Sequence, residues 1–205
     1  MYKLFYADGS AAMSTRTVLE ELGQPYELIE TDISRDKPRA PELLKLNPNG
    51  WVPVLIYDGG AMHEASAISV FLTDRHPEAG LAPAAGDPAR GAFLKWLVYL
   101  SNTLQIAYQL TYHWERYCSG PDAQKSVQDK SCARLEEVWG FIDQAIGPDD
   151  WLADNRYTAA DIHLYMLSTW LSPERGHPTM DRFPNAKRVA DRAAQRPAVR
   201  KVFGL

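Results

Sequence analysis

The stretch "NGWVPVLIYDGGAMHEASAI", residues 49–68, decides how this chain is read. An apolar run at 54–57 begins directly after Pro53, turns on Asp58-Gly59-Gly60 and resumes at 61–63. Asp-Gly between two such runs is a hairpin signal. Immediately beyond it, residues 65–75 carry helical spacing, with Glu64 at their head. Two features here each admit two readings. Pro53 has no N–H, so in trans it simply starts an edge strand. In cis, the form of only about 5% of X–Pro bonds, it leaves the Val52 backbone open to pair with an added extended peptide. Glu64 either complements the dipole of the helix it precedes, or it holds an ammonium group while the amides behind it hold a carboxylate. The second arrangement suits the free amino-acid end of a peptide. Ser66 by itself is a first-turn polar residue.

Working outward, the flanking segments alternate in periodicity. Residues 2–6 read as a strand, and "AAMSTRTVLEELG" as a helix with Val18, Leu19 and Leu22 on one face and Gly23 as its left-handed stop. Residues 26–31 form a second strand, and "APELLKLNPNG" a short helix that stops near Asn-Pro. The order is βαβαββα. The loop "GLAPAAGDP" (80–88) follows, and beyond it every periodic segment is helical: 89–117, 124–146, one helix from "YTAADIHLYMLSTW", and two short ones around Pro184 and Pro197. The expected organisation is a small α/β domain (1–81), a linker (82–88) and an all-helical domain (89–205). Thr158 and Asp161 have capping-box spacing, which marks the start of a central helix.

Bulk properties narrow the function classes. The chain has 205 residues, 45% hydrophobic and 23% charged, with a net charge of -4. That balance gives no general attraction to nucleic acid or to acidic membranes. No window approaches eighteen apolar residues, and the strand-like start after Met1 lacks a signal-peptide pattern, so a cytoplasmic protein is expected. Cys118 and Cys132 are too few for a disulfide framework, and neither they nor the scattered histidines form a metal motif.

Taken together, "LNPNGWVPVL", "HEASAISVFL" and "TAADIHLYM" in this order make the chain resemble the cytosolic glutathione transferase superfamily over essentially its full length. The resemblance implies a thioredoxin-like N-terminal domain, a helical C-terminal domain and a homodimer. It implies that Pro53 is cis, that Val52 pairs with the cysteinyl backbone of glutathione, and that Glu64 binds the γ-glutamyl end beside Ala65 and Ser66. The family usually has serine directly after that acid. Here Ala65 keeps the amide and loses the hydroxyl, a loss of about 1 kcal/mol.

The implied chemistry is attack of the glutathione thiolate on a small hydrophobic electrophile, with no metal. A thiol of pKa about 8.5 is only a few per cent ionised at neutral pH, and lowering that value by two units takes about 2.7 kcal/mol. The donor belongs where the first strand meets the first helix, in "YADGSAAMS", with Tyr6, Ser10 and Ser14 as candidates. Ser10 follows Gly9 at the helix entrance and matches the serine-type classes, and Tyr6 matches tyrosine-type classes in poorer register. Beta-class members carry cysteine where this chain has Ala11, and His-Lys where it has Gln105 and Ile106, so no mixed disulfide with the protein is expected. The electrophile is expected between the domains against Tyr108, Tyr112 and His113, each of which core packing also explains. The basic tail of Lys187, Arg188, Arg192, Arg196, Arg200 and Lys201 reads as a solvated face. Alternatives on the same fold are a glutathione-dependent lyase, dehalogenase or isomerase, and a non-catalytic binding module.

Overall fold

The structure is a computed structural model that describes residues 1–34 and 36–205. It divides into two compact units, residues 1–87 together with 194–205, and residues 88–193.

The first unit is built on a four-stranded mixed sheet of β1 (Tyr2–Tyr6), β2 (Tyr26–Glu30), β3 (Val54–Tyr57) and β4 (Gly60–His63), in the order β2-β1-β3-β4. β1 and β2 are parallel, joined through α1 (Ala12–Glu21), whereas β1–β3 and β3–β4 are antiparallel. α2 (Pro41–Leu46) links β2 to β3, and α3 (Ala65–Arg75) follows β4. Leu4, Val54 and Leu55 from the sheet are buried, as are Val18 and Leu19 from α1 and Ile68 and Leu72 from α3. Full burial of each such side chain contributes about 1.5–3 kcal/mol. The element order is the expected βαβαββα, and this is the thioredoxin-like arrangement that the resemblance implied, with Gly23 (φ +63°) closing α1 as foreseen.

The C-terminal dozen residues depart from the expected division, which placed 89–205 in one helical domain. α9 (Pro197–Phe203) packs on α1 instead. Arg196 holds Glu21 through two hydrogen bonds of 3.0 and 2.6 Å, and Lys201 reaches Glu20 at 2.8 Å. α9 also buries Val199 and Val202, so an apolar face three residues apart and charge pairs at its edge together seat this segment. The basic tail is accordingly a set of partnered cations more than a bare face.

The second unit is helical: α4 (Arg90–Tyr99), α5 (Gln105–Tyr112), α6 (Pro121–Ile146), α7 (Ala159–Ser168) and α8 (Pro184–Ala193). The sequence predicted one helix over 89–117. In the structure a π-helical turn, Leu100–Leu104, separates α4 from α5, and His113 (φ -134°) ends α5 before a short 3-10 turn. Ser101 donates to the Leu97 carbonyl as the π turn begins, an example of a hydroxyl competing for helix acceptors. α6 starts at Pro121, three residues before the predicted start, because proline is well tolerated in a first turn. The Thr158–Asp161 capping box opens α7, whose residues Ala159 to Leu167 are buried.

Candidate functional site

Strand register gathers three segments at one end of the sheet. Phe5 pairs with Val54, and Val54 pairs with His63. The chain leaving β1 (residues 7–11), the chain entering β3 (52–53) and the chain leaving β4 (64–66) therefore all lie at that end. These segments hold Ser10, Val52, Pro53, Glu64, Ala65 and Ser66, and Tyr6 is the last residue of β1 beside them.

At the entry to β3 the Val52–Pro53 bond is cis. Val52 is 8% exposed, yet neither its N–H nor its C=O has a hydrogen-bond partner among the described residues. Unpaired backbone groups on a buried residue are uncommon, because losing water without gaining a partner is costly. The segment just before it is braced. Asn47 donates from Nδ2 to the Trp51 carbonyl (2.9 Å), and Arg39 donates from Nε to the Gly50 carbonyl (3.0 Å). The Arg39 guanidinium also sits 5.2 Å from the centre of the Trp51 ring. Gly50, at φ +69°, has no room for a side chain: a Cβ there would meet Arg39 Cγ at 2.7 Å.

Glu64 is the residue immediately ahead of α3, and it stands at φ +74°, ψ +104°. A bulky side chain in that region costs on the order of 1–3 kcal/mol and is found where something else requires it. Its carboxylate is exposed and has no partner among the described residues, so it does not cap its own helix. Its carbonyl accepts the first helical bond, from the Ile68 amide (2.9 Å). Ala65 is buried at the first helical position, and Ser66 follows, half-buried.

Around the 7–11 turn all three candidate hydroxyls are engaged. Ser10 donates to the Ala7 carbonyl (2.6 Å) and accepts from the Ala12 amide (3.2 Å), which closes the turn and starts α1. Tyr6 is buried. It donates to Asp8 (2.5 Å) and accepts from Arg16 (3.3 Å), whose guanidinium lies 5.1 Å from the tyrosine ring centre. Burial, with the Asp8 acceptor, pushes the Tyr6 hydroxyl above its ordinary pKa, so its proton is held firmly. Ser14 donates to the Ala11 carbonyl inside α1. The Ala11 amide has no partner among the described residues.

Tyr108, Tyr112 and His113 belong to the helical unit. Tyr108 is 1% exposed, donates to the Leu167 carbonyl (2.8 Å) and accepts from Trp139 Nε1 (3.0 Å). It is a core residue with a satisfied hydroxyl rather than a pocket wall. Tyr112 is half-buried, donates to the Trp170 carbonyl (2.7 Å) and packs edge-on to His177. His113 ends α5 with its ring 3.7 Å from the Glu115 carboxylate.

Sequence reasoning passed over Asn47, Arg39 and Asp8. Asn47 was legible only as part of an Asn-Pro helix stop, although an asparagine so placed also has a side chain able to reach the loop that follows.

Comparison with known proteins supplies the frame for this geometry. A family model described as glutathione S-transferase, N-terminal domain, matches residues 4–80, and one described as glutathione S-transferase, C-terminal domain, matches residues 106–197. The chain is 25% identical to glutathione S-transferase GstA of Escherichia coli O157:H7 over 170 residues, covering 82% of this chain and 81% of that one. It is 28% identical to a maleylacetoacetate isomerase of Pseudomonas aeruginosa over 205 residues, 96% of this chain and 92% of the relative. The structure of a sphingomonad glutathione S-transferase complexed with glutathione superposes with a TM-score of 0.86 at 27% identity, covering 98% and 97% of the two chains.

Proposed function

This chain belongs to the glutathione S-transferase superfamily, and we propose that it binds glutathione at the open end of its sheet and transfers it to small hydrophobic electrophiles. The observation that carries the reading is the unpaired Val52 backbone beside cis Pro53. An extended peptide adding there would satisfy both groups at once, as an added strand does. Glu64, exposed and unpartnered, then takes the glutamyl ammonium. The first-turn amides of α3 from Ala65 and Ser66 take the glutamyl carboxylate.

In this reading Ser10 activates the thiol. Its hydroxyl leaves the Ala7 carbonyl for the sulfur, because a charged acceptor forms the stronger hydrogen bond. The thiol proton passes to solvent, the sulfur lone pair forms the C–S bond, and the leaving group departs with its bonding electrons. Tyr6 fits this role less well, since Asp8 and Arg16 already occupy its hydroxyl. A homodimer in a reducing cytoplasm completes the proposal. A second reading, glutathione-dependent isomerisation, is favoured by the likeness to the isomerase. It would turn over substrate without consuming glutathione.

Calorimetry and a pH profile test the proposal. Glu64→Ala should raise the glutathione dissociation constant tenfold or more, about 1.4 kcal/mol. Ser10→Ala should lower conjugation at pH 6.5 far more than at pH 9, where thiolate forms unaided. Failure to bind glutathione at millimolar concentration ends both enzymatic readings. An acid-side loss in Tyr6→Phe and not in Ser10→Ala moves the role to the tyrosine. Light scattering that shows a monomer at micromolar concentration removes the dimer.

A further inference from the structure

We propose that Asn47 is a positioning residue for ligand binding: it aims the Val52 N–H by fixing the peptide plane that carries it. The inference rests on the reading that Val52 pairs with the glutathione backbone, and goes beyond it in naming what holds that pair ready.

The geometry is specific. Val52 lies outside the sheet, whose ladder begins at Val54, so strand pairing does not orient the Trp51–Val52 peptide. That peptide is a rigid plane in which the Trp51 carbonyl and the Val52 N–H point in opposite directions. Asn47 Nδ2 holds the carbonyl at 2.9 Å, which turns the N–H the other way. Asn47 is itself held on several sides. It is 3% exposed and ends α2 with its amide on the Leu43 carbonyl (2.8 Å). Its Oδ1 accepts from the Asn49 amide (3.2 Å), and its carbonyl accepts from the Gly50 amide (2.9 Å). Arg39 fixes the preceding peptide through the Gly50 carbonyl. Two successive carbonyls are thus tied down by side chains, and the next backbone donor along the chain is left open. A ligand meets a backbone already ordered, so binding does not carry the cost of ordering it.

The test is a thermodynamic cycle between the protein and the ligand backbone. Binding is measured by calorimetry for the wild type, Asn47→Ala and Asn47→Asp. The probes are glutathione and an analogue whose cysteinyl–glycyl amide is replaced by a trans-alkene, which removes the cysteinyl carbonyl that would accept from the Val52 N–H. Wild type should bind the analogue at least tenfold more weakly than glutathione. In Asn47→Ala glutathione itself should bind about tenfold more weakly, and the penalty for the analogue should shrink to threefold or less, because a misaimed Val52 has little pairing left to lose. Asn47→Asp keeps the shape and the Oδ1 acceptor but sets a second oxygen against the Trp51 carbonyl, so it should behave like Asn47→Ala. At saturating glutathione, kcat should stay within twofold while KM rises.

An analogue penalty that is equal in wild type and variants overturns the positioning role and leaves Val52 pairing intact. No penalty in the wild type overturns the Val52 reading instead. A measurement on the unmodified chain stands beside these. By amide exchange, the Asn47 side-chain N–H should be protected before glutathione is added, and the Val52 N–H only after. Rapid exchange at Asn47 in the free protein refutes the inference even if neither variant folds.

Discussion

At the start of α7, Thr158 lies in extended backbone, and its hydroxyl accepts from the Ala160 amide while Asp161 accepts from the Thr158 amide and hydroxyl and from the Leu152 amide. All of these groups are buried. At the start of α3, Glu64 sits at φ +74°, exposed, with no side-chain hydrogen bond to its own helix. Both helices begin beside an acid. One acid closes its helix end and the other leaves it open. On the proposed reading the difference separates an acid kept for the fold from one kept for a ligand, since strain at an exposed helix start has no structural return.

The largest effect is expected at α7. Asp161→Ala leaves the Leu152 and Thr158 amides buried without an acceptor, which costs about 3 kcal/mol and lowers Tm by about 10 °C. Glutathione affinity should stay within twofold for any protein that remains folded. A tenfold loss of affinity at unchanged Tm would erase the contrast, because α7 would then be a ligand site too.

Next in size is an effect of pH confined to α7. Burial pushes the Asp161 carboxyl up to about 6, against the pull of the Leu152 and Thr158 amides. Its contribution to stability is complete below about 3.8 and is lost as pH rises through about 6. His163, two residues on, is fully buried with neither ring nitrogen bonded among the described residues, and burial holds it down at about 4. Its contribution is complete above about 6.5 and is lost as pH falls through about 4. The two slopes oppose each other, each amounting to ~3 kcal/mol. Wild-type denaturant stability should therefore be nearly flat from pH 4 to 6. His163→Leu should be more stable at pH 4 than at pH 6, and Asp161→Asn the reverse. Parallel curves for all three proteins would refute the assignment.

What could be read ahead from the chain follows the same division. Thr158 and Asp161 are three residues apart, so their mutual bonds are local and the spacing reveals them. The hairpin around Asp58-Gly59-Gly60 is local for the same reason. Glu64 was visible as an acid at a helix start, but its positive φ was not, since nothing in a glutamate announces the left-handed region. In α9 the spacing of Val199 and Val202 marks an apolar face, but which element that face meets is not written in periodicity, and neither is the meeting of Arg196 with Glu21 across the chain. Tyr108 was weighed between core and pocket. Helical core packing also explained it, and in the structure its buried hydroxyl bonds the Leu167 carbonyl and Trp139. Tyr6 and Ser10 were recognisable as hydroxyls near the helix entrance, whereas their engagement by Asp8 and Ala7 emerges only from the folded turn.

At α3 a smaller and two-signed effect is expected. Glu64→Gly removes a side chain from a backbone region that glycine adopts freely, so the folded protein should gain about 0.5–1 kcal/mol after allowing for the entropy of the unfolded glycine. The same change should weaken glutathione tenfold, about 1.4 kcal/mol. Thermal unfolding and calorimetry on one sample read both. Gain of stability with unchanged affinity would mean that the acid serves no ligand. Loss of stability would mean that φ +74° is not strained here.

The smallest expected change is a gain. Ala65 opens α3 with an amide but no hydroxyl, next to the acid whose carboxylate does not cap the helix. Serine is little larger than alanine, and at a first helical position its hydroxyl can turn toward the same anion as the amide below it. Ala65→Ser should therefore tighten glutathione about fivefold, ~1 kcal/mol, through one added hydrogen bond. A general improvement of the helix start would raise Tm without discriminating between ligands. The control is therefore glutathione whose glutamyl α-carboxylate has been converted to an amide. If the hydroxyl contacts that carboxylate, the charge-assisted part of the bond is lost with the amide, and the gain should fall below twofold. An equal gain for both ligands would place the hydroxyl elsewhere. No gain for either would mean that the glutamyl end does not reach the first turn of α3, and the open helix start would then have to be explained without glutathione.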